Sequence, residues 1–226
     1  GGSLNEQSVT LSLRNHLKLN ETILDAVSGE ELSPQDRFLG LLAEKNISAS
    51  KRTRVGTSLN VGELISSDRA LALSFTLDLD RFANLNLSCN AKIKSIDISL
   101  IGEGLGEGLP SASIIYSGAS QLRSCQPELQ DYIDLFGEGA TSFGEVTTFR
   151  SPTRSISPVA GINNFPSQTD GTGNLSLSGL PLSSDYTLLI DMNNGDNAYI
   201  DWEALTDIEL RVNYLYQDFF AIGECQ

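Results

Sequence analysis

Oxygen donors crowd one stretch of the chain, "DMNNGDNAYIDWE" at positions 191–203. Asp191, Asn193, Asp196, Asn197 and Asp201 are hard ligands of the kind calcium prefers. The EF-hand pattern fails, because glycine stands at the fifth position of the loop and not the sixth. The competing reading is an Asn/Gly turn that leads into a short helical turn at "WEAL", its carboxylates facing water. Asp191, Asn193 and Asp196 are the candidate calcium set, and no other cofactor is expected. Trp202 is the only tryptophan. Such a residue can stack on a sugar, anchor a protein interface, or cover one end of a core.

A second stretch, "LIGEGLGEGLP" at 100–110, has four glycines and two glutamates. Dinucleotide binding needs G-x-G-x-x-G. Counted from Gly102 and Gly104 the third glycine position holds Glu107, and counted from Gly104 and Gly106 it holds Leu109. No Lys-Ser or Lys-Thr follows, so the P-loop is excluded as well. Glu103 and Glu107 would repel a pyrophosphate. The segment reads as a connection between strands, and Glu103, Leu105, Glu107 and Trp202 are the candidate partner-binding residues.

Catalytic constellations are scarce. The single histidine, His16, lies near the start, and no G-x-S-x-G elbow is present. Carboxylates are plentiful, but nothing selects a glycosidase pair. Cys89, Cys125 and Cys225 fit no metal spacing. Packed free thiols are the expectation; a Cys89–Cys125 bridge is the alternative in an oxidising compartment. The expectation is a protein without enzymatic activity.

The balance of 15 Lys and Arg against 29 Asp and Glu gives a net charge of −14. That argues against nucleic acid and anionic membranes as partners and is compatible with a basic one. No apolar run approaches a membrane span. The opening "GGSLNEQS" reads as a cut point, which suggests a piece of a longer chain.

These residues must be positioned by two kinds of element. Residues 1–53 are expected to be a helical segment and linker, from the spacing of Leu13, Leu17, Ile23, Leu24 and Val27. "SPQDRFLGLLAEK" adds a helix start: Ser33 as cap, Pro34 in the first turn, and a stripe of Phe38, Leu41 and Leu42. From 54 the period becomes two. "LALSFTLDLD", "AKIKSIDISL", "SASIIYSG", "GNLSLSGL", "YTLLIDM" and "DIELRVNYLY" all read as strands. The apolar parity switches between Lys92 and Ser95, which predicts a bulge. Short strands are expected near Val146–Phe149 and Val159–Ile162 in an otherwise loop-rich region. Residues 54–226 are therefore expected to be an antiparallel β-sandwich, jelly-roll-like, making the chain mostly β.

Several of these strands, in order, resemble the C-terminal portion of the A component of bacterial Tc (toxin complex) insecticidal toxins. The similar pieces are Ile93 to Leu100, the loop 101–110, Ala112 to Tyr116, Cys125, and the closing strand Thr206 to Tyr214; "KRTRVGTSLNVGEL" also resembles an upstream family segment. The family's channel-forming helices have no counterpart beyond residues 1–50, and the stretch 118–172 is looser than the family's. The resemblance implies a docking domain for a toxin B-type subunit, in a secreted or cell-surface protein. The alternative is a carbohydrate-binding jelly-roll module, assisted by calcium at the set named above.

Overall fold

The computed structural model describes residues 4–44, 70–78, 88–125, 146–150, 153–158, 160–166, 177–191 and 195–218. The longest strands are those whose apolar residues alternate most strictly. β5 (Ser88–Ile101) and β11 (Asp207–Asp218) run antiparallel, with Ile208 opposite Leu100, Leu210 opposite Ile98 and Val212 opposite Ile96. All six are buried. Between Asn213 and Tyr214 the register shifts, so that Ser95 and then Ile93 face β11 and Lys94 is the extra residue. This is the expected bulge: it returns Ile93 to the core side and leaves Lys94 in solvent, where it pairs with Glu6 at 2.6 Å.

β1 (Asn5–Ser12) flanks β11 on its other side, with Val9 opposite Val212 and Leu11 opposite Leu210. β9 (Ala160–Ile162) completes this sheet, in parallel with β5. The second sheet runs β4 (Ala70–Leu77), β10 (Ser183–Asp191), β6 (Ser113–Arg123), β7 (Val146–Arg150), and β8 (Arg154–Ile156) also pairs with β6. β2 (Ile23–Leu24) and β3 (Glu31–Leu32) form a separate hairpin. The inner faces of the two large sheets supply most of one continuous core. In the second sheet Phe75 stacks on Tyr186 at 5.5 Å, and Tyr186 meets Tyr116 edge to face at 5.5 Å. Both phenols keep a partner, Tyr186 donating to Leu182 O and Tyr116 to Pro181 O. Burial pushes the Tyr186 hydroxyl well above the usual phenol range. Tyr214 is also core, as its parity required.

The N-terminal helical expectation needs correction. Only α1 (Leu13–His16) and α2 (Pro34–Glu44) are helical among the described residues of this segment, and Asn5–Ser12 is a strand. Gln7, Val9 and Leu11 alternate with exposed Ser8 and Thr10, and β11 offers an unpaired edge, so sheet extension wins over helix. The expected divisions 1–53 and 54–226 thus share a sheet. The α1 turn is held at both ends. Ser12 caps it and donates to Asp207, Arg14 N donates to the same carboxylate, and His16 Nε2 donates to Thr76 O on β4. One short turn therefore links an edge of each sheet.

α2 opens as its sequence requires. Ser33 Oγ accepts from Asp36 N while Asp36 Oδ2 accepts from Ser33 N and Oγ. Phe38 and Leu39 are buried; the side chains of Leu41 and Leu42 lie outside the described ones. "GNLSLSGL" is not a strand where it is described. Leu177–Leu180 form a turn that pairs backbone groups with the bulged part of β5, Gly179 N and Leu182 N donating to Ile93 O and Ala91 O. Among the described residues no helix is long and apolar enough to cross a membrane.

The β2–β3 turn is tied by Asp25, whose carboxylate accepts from Val27 N and Ser28 N. These bonds, Ser28 first, hold the carboxyl below the ordinary aspartate value of 3.8. A depressed acid stabilises the turn at pH above its ordinary value and loses that contribution as pH falls through the lowered one. The Val27 and Ser28 amide resonances are expected to stay fixed from neutral pH to about 4 and to move only below it; movement between pH 5 and 7 would contradict the Asp25 tie.

Candidate partner-binding loop end

Antiparallel pairing of β5 with β11 places the loop after the first beside the loop before the second. Asp207 stands opposite Ile101, and Thr206 N and Oγ1 both donate to Ile101 O. From there the glycine loop folds back along residues 195–206. Asp201 N donates to Leu105 O. The Asn197 side chain clamps Ser111, accepting from its N and donating to its O, each at 2.9 Å. A third segment joins through Asn163, held at φ 54°, whose amide bonds Gly102 N at 2.9 Å and Gly102 O at 2.8 Å. Ala160 N donates to Pro110 O.

This crossing explains two of the glycines. A Cβ at Gly102 would stand 2.1 Å from Ala204 O, so only glycine lets the two backbones approach. Gly106 adopts φ +100° with Tyr199 O directly over it. Gly102 and Gly106 thus serve close packing of one loop on another.

The structure sorts the sequence-derived residues into two groups. Glu103 and Glu107 are exposed. Leu105 and Trp202 are not: they are 1% and 6% exposed and belong to the core cluster. Leu105 turns inward because its own carbonyl is pinned to Asp201 N, and Trp202 begins a 3-10 turn capped by the Asp201 side chain. Both are removed from any contact surface. Of the calcium set, Asp196 is exposed, Asn193 lies outside the described residues, and only the backbone of Asp191 is described, in β10. Asn197 is 1% exposed and its amide is committed to Ser111. Among the described residues no three metal-binding side chains are grouped.

Two exposed apolar side chains on these loops were not singled out in the sequence: Leu109, 64% exposed, and Tyr199, 80% exposed. The same segments carry Glu103, Glu107, Asp196, Asp201 and Glu203, all exposed. Segments 101–110, 157–166 and 195–206 contain no Lys or Arg. Beside them is an open cavity of about 510 Å³, lined by Ile101, Gly102, Glu103, Asn163 and Thr206 with Gln35 from α2. The loop end is thus rigid, acidic, and carries an aromatic and an aliphatic side chain outward.

No protein-family model matches the chain, and no curated protein matches it. Among solved structures it is similar to the cryo-EM structure of Yersinia pseudotuberculosis TcaA-TcaB, at 17% identity and a TM-score of 0.45. That alignment covers 96% of this chain and 10% of the Yersinia chain, so the chain spans about a tenth of its length. Turnip yellow mosaic virus is similar at 8% identity and a TM-score of 0.26, covering 96% of this chain and 82% of that one. The human polyomavirus 6 VP1 pentamer is similar at 10% identity and a TM-score of 0.26, covering 96% and 95%.

Proposed function

We propose that this chain is a non-enzymatic docking domain whose loop end grips a basic surface on a protein partner. One observation carries the reading: Tyr199 and Leu109 are held out in water on loops tied to each other by backbone bonds, and every charged residue of those loops is acidic. An exposed aromatic on a loop tied by backbone bonds can anchor a partner at a low ordering cost. The acidic rim steers and orients a partner of opposite charge. The resemblance of the strands to the Tc A component supplies the partner, a B-type subunit of a toxin complex. The Cys89–Cys125 bridge favours an oxidising setting, in keeping with a secreted or cell-surface protein.

The test is binding of a purified Tc B-type subunit to the immobilised chain. Tyr199→Ala should weaken binding by about 2 kcal/mol if the ring is an anchor. Glu103→Lys with Glu107→Lys should slow association and flatten its dependence on salt. Both variants are solvent-facing and should melt as the parent does. Unchanged association and affinity in both would overturn the assignment of this end of the molecule.

A further inference from the structure

The cavity beside the loop end has an unusual inventory. Each side-chain donor on its wall is already engaged with the protein: Asn163 Nδ2 with Gly102 O, Thr206 Oγ1 with Ile101 O, and Gln35 Nε2 with Glu203 O. Gly102 N is spent on Asn163 Oδ1. What remains are acceptors. Gln35 Oε1 is oriented by the bond its own nitrogen makes, and the Glu103 carboxylate has no hydrogen bond or ion pair among the described residues. Arg14 Nη1, at the margin, is spent on Thr206 O at 3.2 Å. A wall with acceptors to spare, the Glu103 charge and its own donors committed is complementary to a cation that only donates. Guanidinium has that character, with several N–H groups in a plane, no acceptor and a fixed charge. The apolar wall, Ile101 and Ala204, suits the methylene stem that carries it.

We infer that this cavity is a receptor for an arginine side chain of the protein partner, with Glu103 as its counter-ion and Gln35 as a neutral acceptor. The inference rests on the docking reading and names the group at its centre. Lysine would place one compact, strongly hydrated charge against Glu103 without the planar fork of donors, so it binds more weakly.

The experiment titrates N-acetyl-arginine N-methylamide into the 15N-labelled chain and follows amide shifts. Shifts are expected at Gly102, Glu103, Asn163 and Thr206. N-acetyl-citrulline N-methylamide, of the same shape without the charge, should bind about tenfold more weakly or less. Glu103→Gln, an exposed substitution, should abolish the arginine response while leaving the rest of the spectrum in place. An equal response to citrulline, or arginine shifts that miss these four residues, would overturn the inference. If the cavity is silent but a B-type subunit still binds through Tyr199, only the arginine receptor falls. If arginine binds and the subunit does not, the docking reading falls instead.

Discussion

Removing the Cys89–Cys125 bridge is expected to lower the melting temperature by about 10 °C. The two Cα atoms lie 5.0 Å apart and Cys89 is 1% exposed. The bridge joins the start of β5 in one sheet to the exit of β6 in the other and closes a loop with a sequence separation of 36. On the chain-entropy account, closing a loop of that length removes about 4 kcal/mol of freedom from the unfolded chain. For a domain of this size each kcal/mol moves the midpoint by roughly 2–4 °C, giving a shift of about 8–16 °C. The bridge sits at the end of β5 remote in sequence from the glycine loop, which is tied by its own backbone bonds. Partner binding at room temperature should therefore survive reduction. The comparison is between Cys89→Ser/Cys125→Ser and the parent, each in a Cys225→Ser background to exclude thiol exchange; Cys225 lies outside the described residues. Coincident melting curves would show that the bridge contributes nothing.

The sequence made the sandwich legible where burial leaves a period, and silent where it does not. β4, β5 and β11 alternate cleanly because one face of each meets the opposite sheet, and the parity switch near Lys94 announced its bulge. β1 escaped because its inward positions include Asn5 and Gln7; Asn5 is satisfied by Asp218 and so needs no apolar residue. Leu13 and Leu17 then mimicked a helical stripe with Ile23, Leu24 and Val27, although these last three are exposed and pack into no core. At the loop end, the nearness of 101–110 to 195–206 was implicit in the pairing of Ile93–Leu100 with Asp207–Tyr214, since an antiparallel ladder brings those loops together. The part played by Asn163 was not. Its clamp on Gly102 depends on a left-handed backbone and on a parallel strand, β9, whose place in the sheet no local pattern encodes. Leu105 among glycines looked solvent-facing for the same reason: its place is fixed by a bond from Asp201, far along the chain.

Truncation of Trp202 to alanine should be the most damaging single change at the loop end, and its damage should fall on folding. The indole is 6% exposed, belongs with Leu105, Ile200 and Leu205 to the core cluster, and opens the 3-10 turn that follows Asp201, whose N donates to Leu105 O. Large-to-small changes at such sites cost about 3–5 kcal/mol through lost burial and the cavity left behind. At roughly 2–4 °C per kcal/mol, the midpoint should fall by about 10 °C or more. Trp202→Phe, which keeps most of the volume, should recover a large part of that loss. The contrast with Tyr199→Ala is what gives the experiment its force. Tyr199 is on the same segment but 80% exposed, so its loss should leave the midpoint alone and act on the partner. Trp202→Ala should do the opposite in sign of evidence: a lower midpoint, with whatever remains folded presenting a slackened loop. A Trp202→Ala protein that melts like the parent yet no longer binds would return the indole to the contact surface and overturn the division between scaffold and rim on which the docking reading depends.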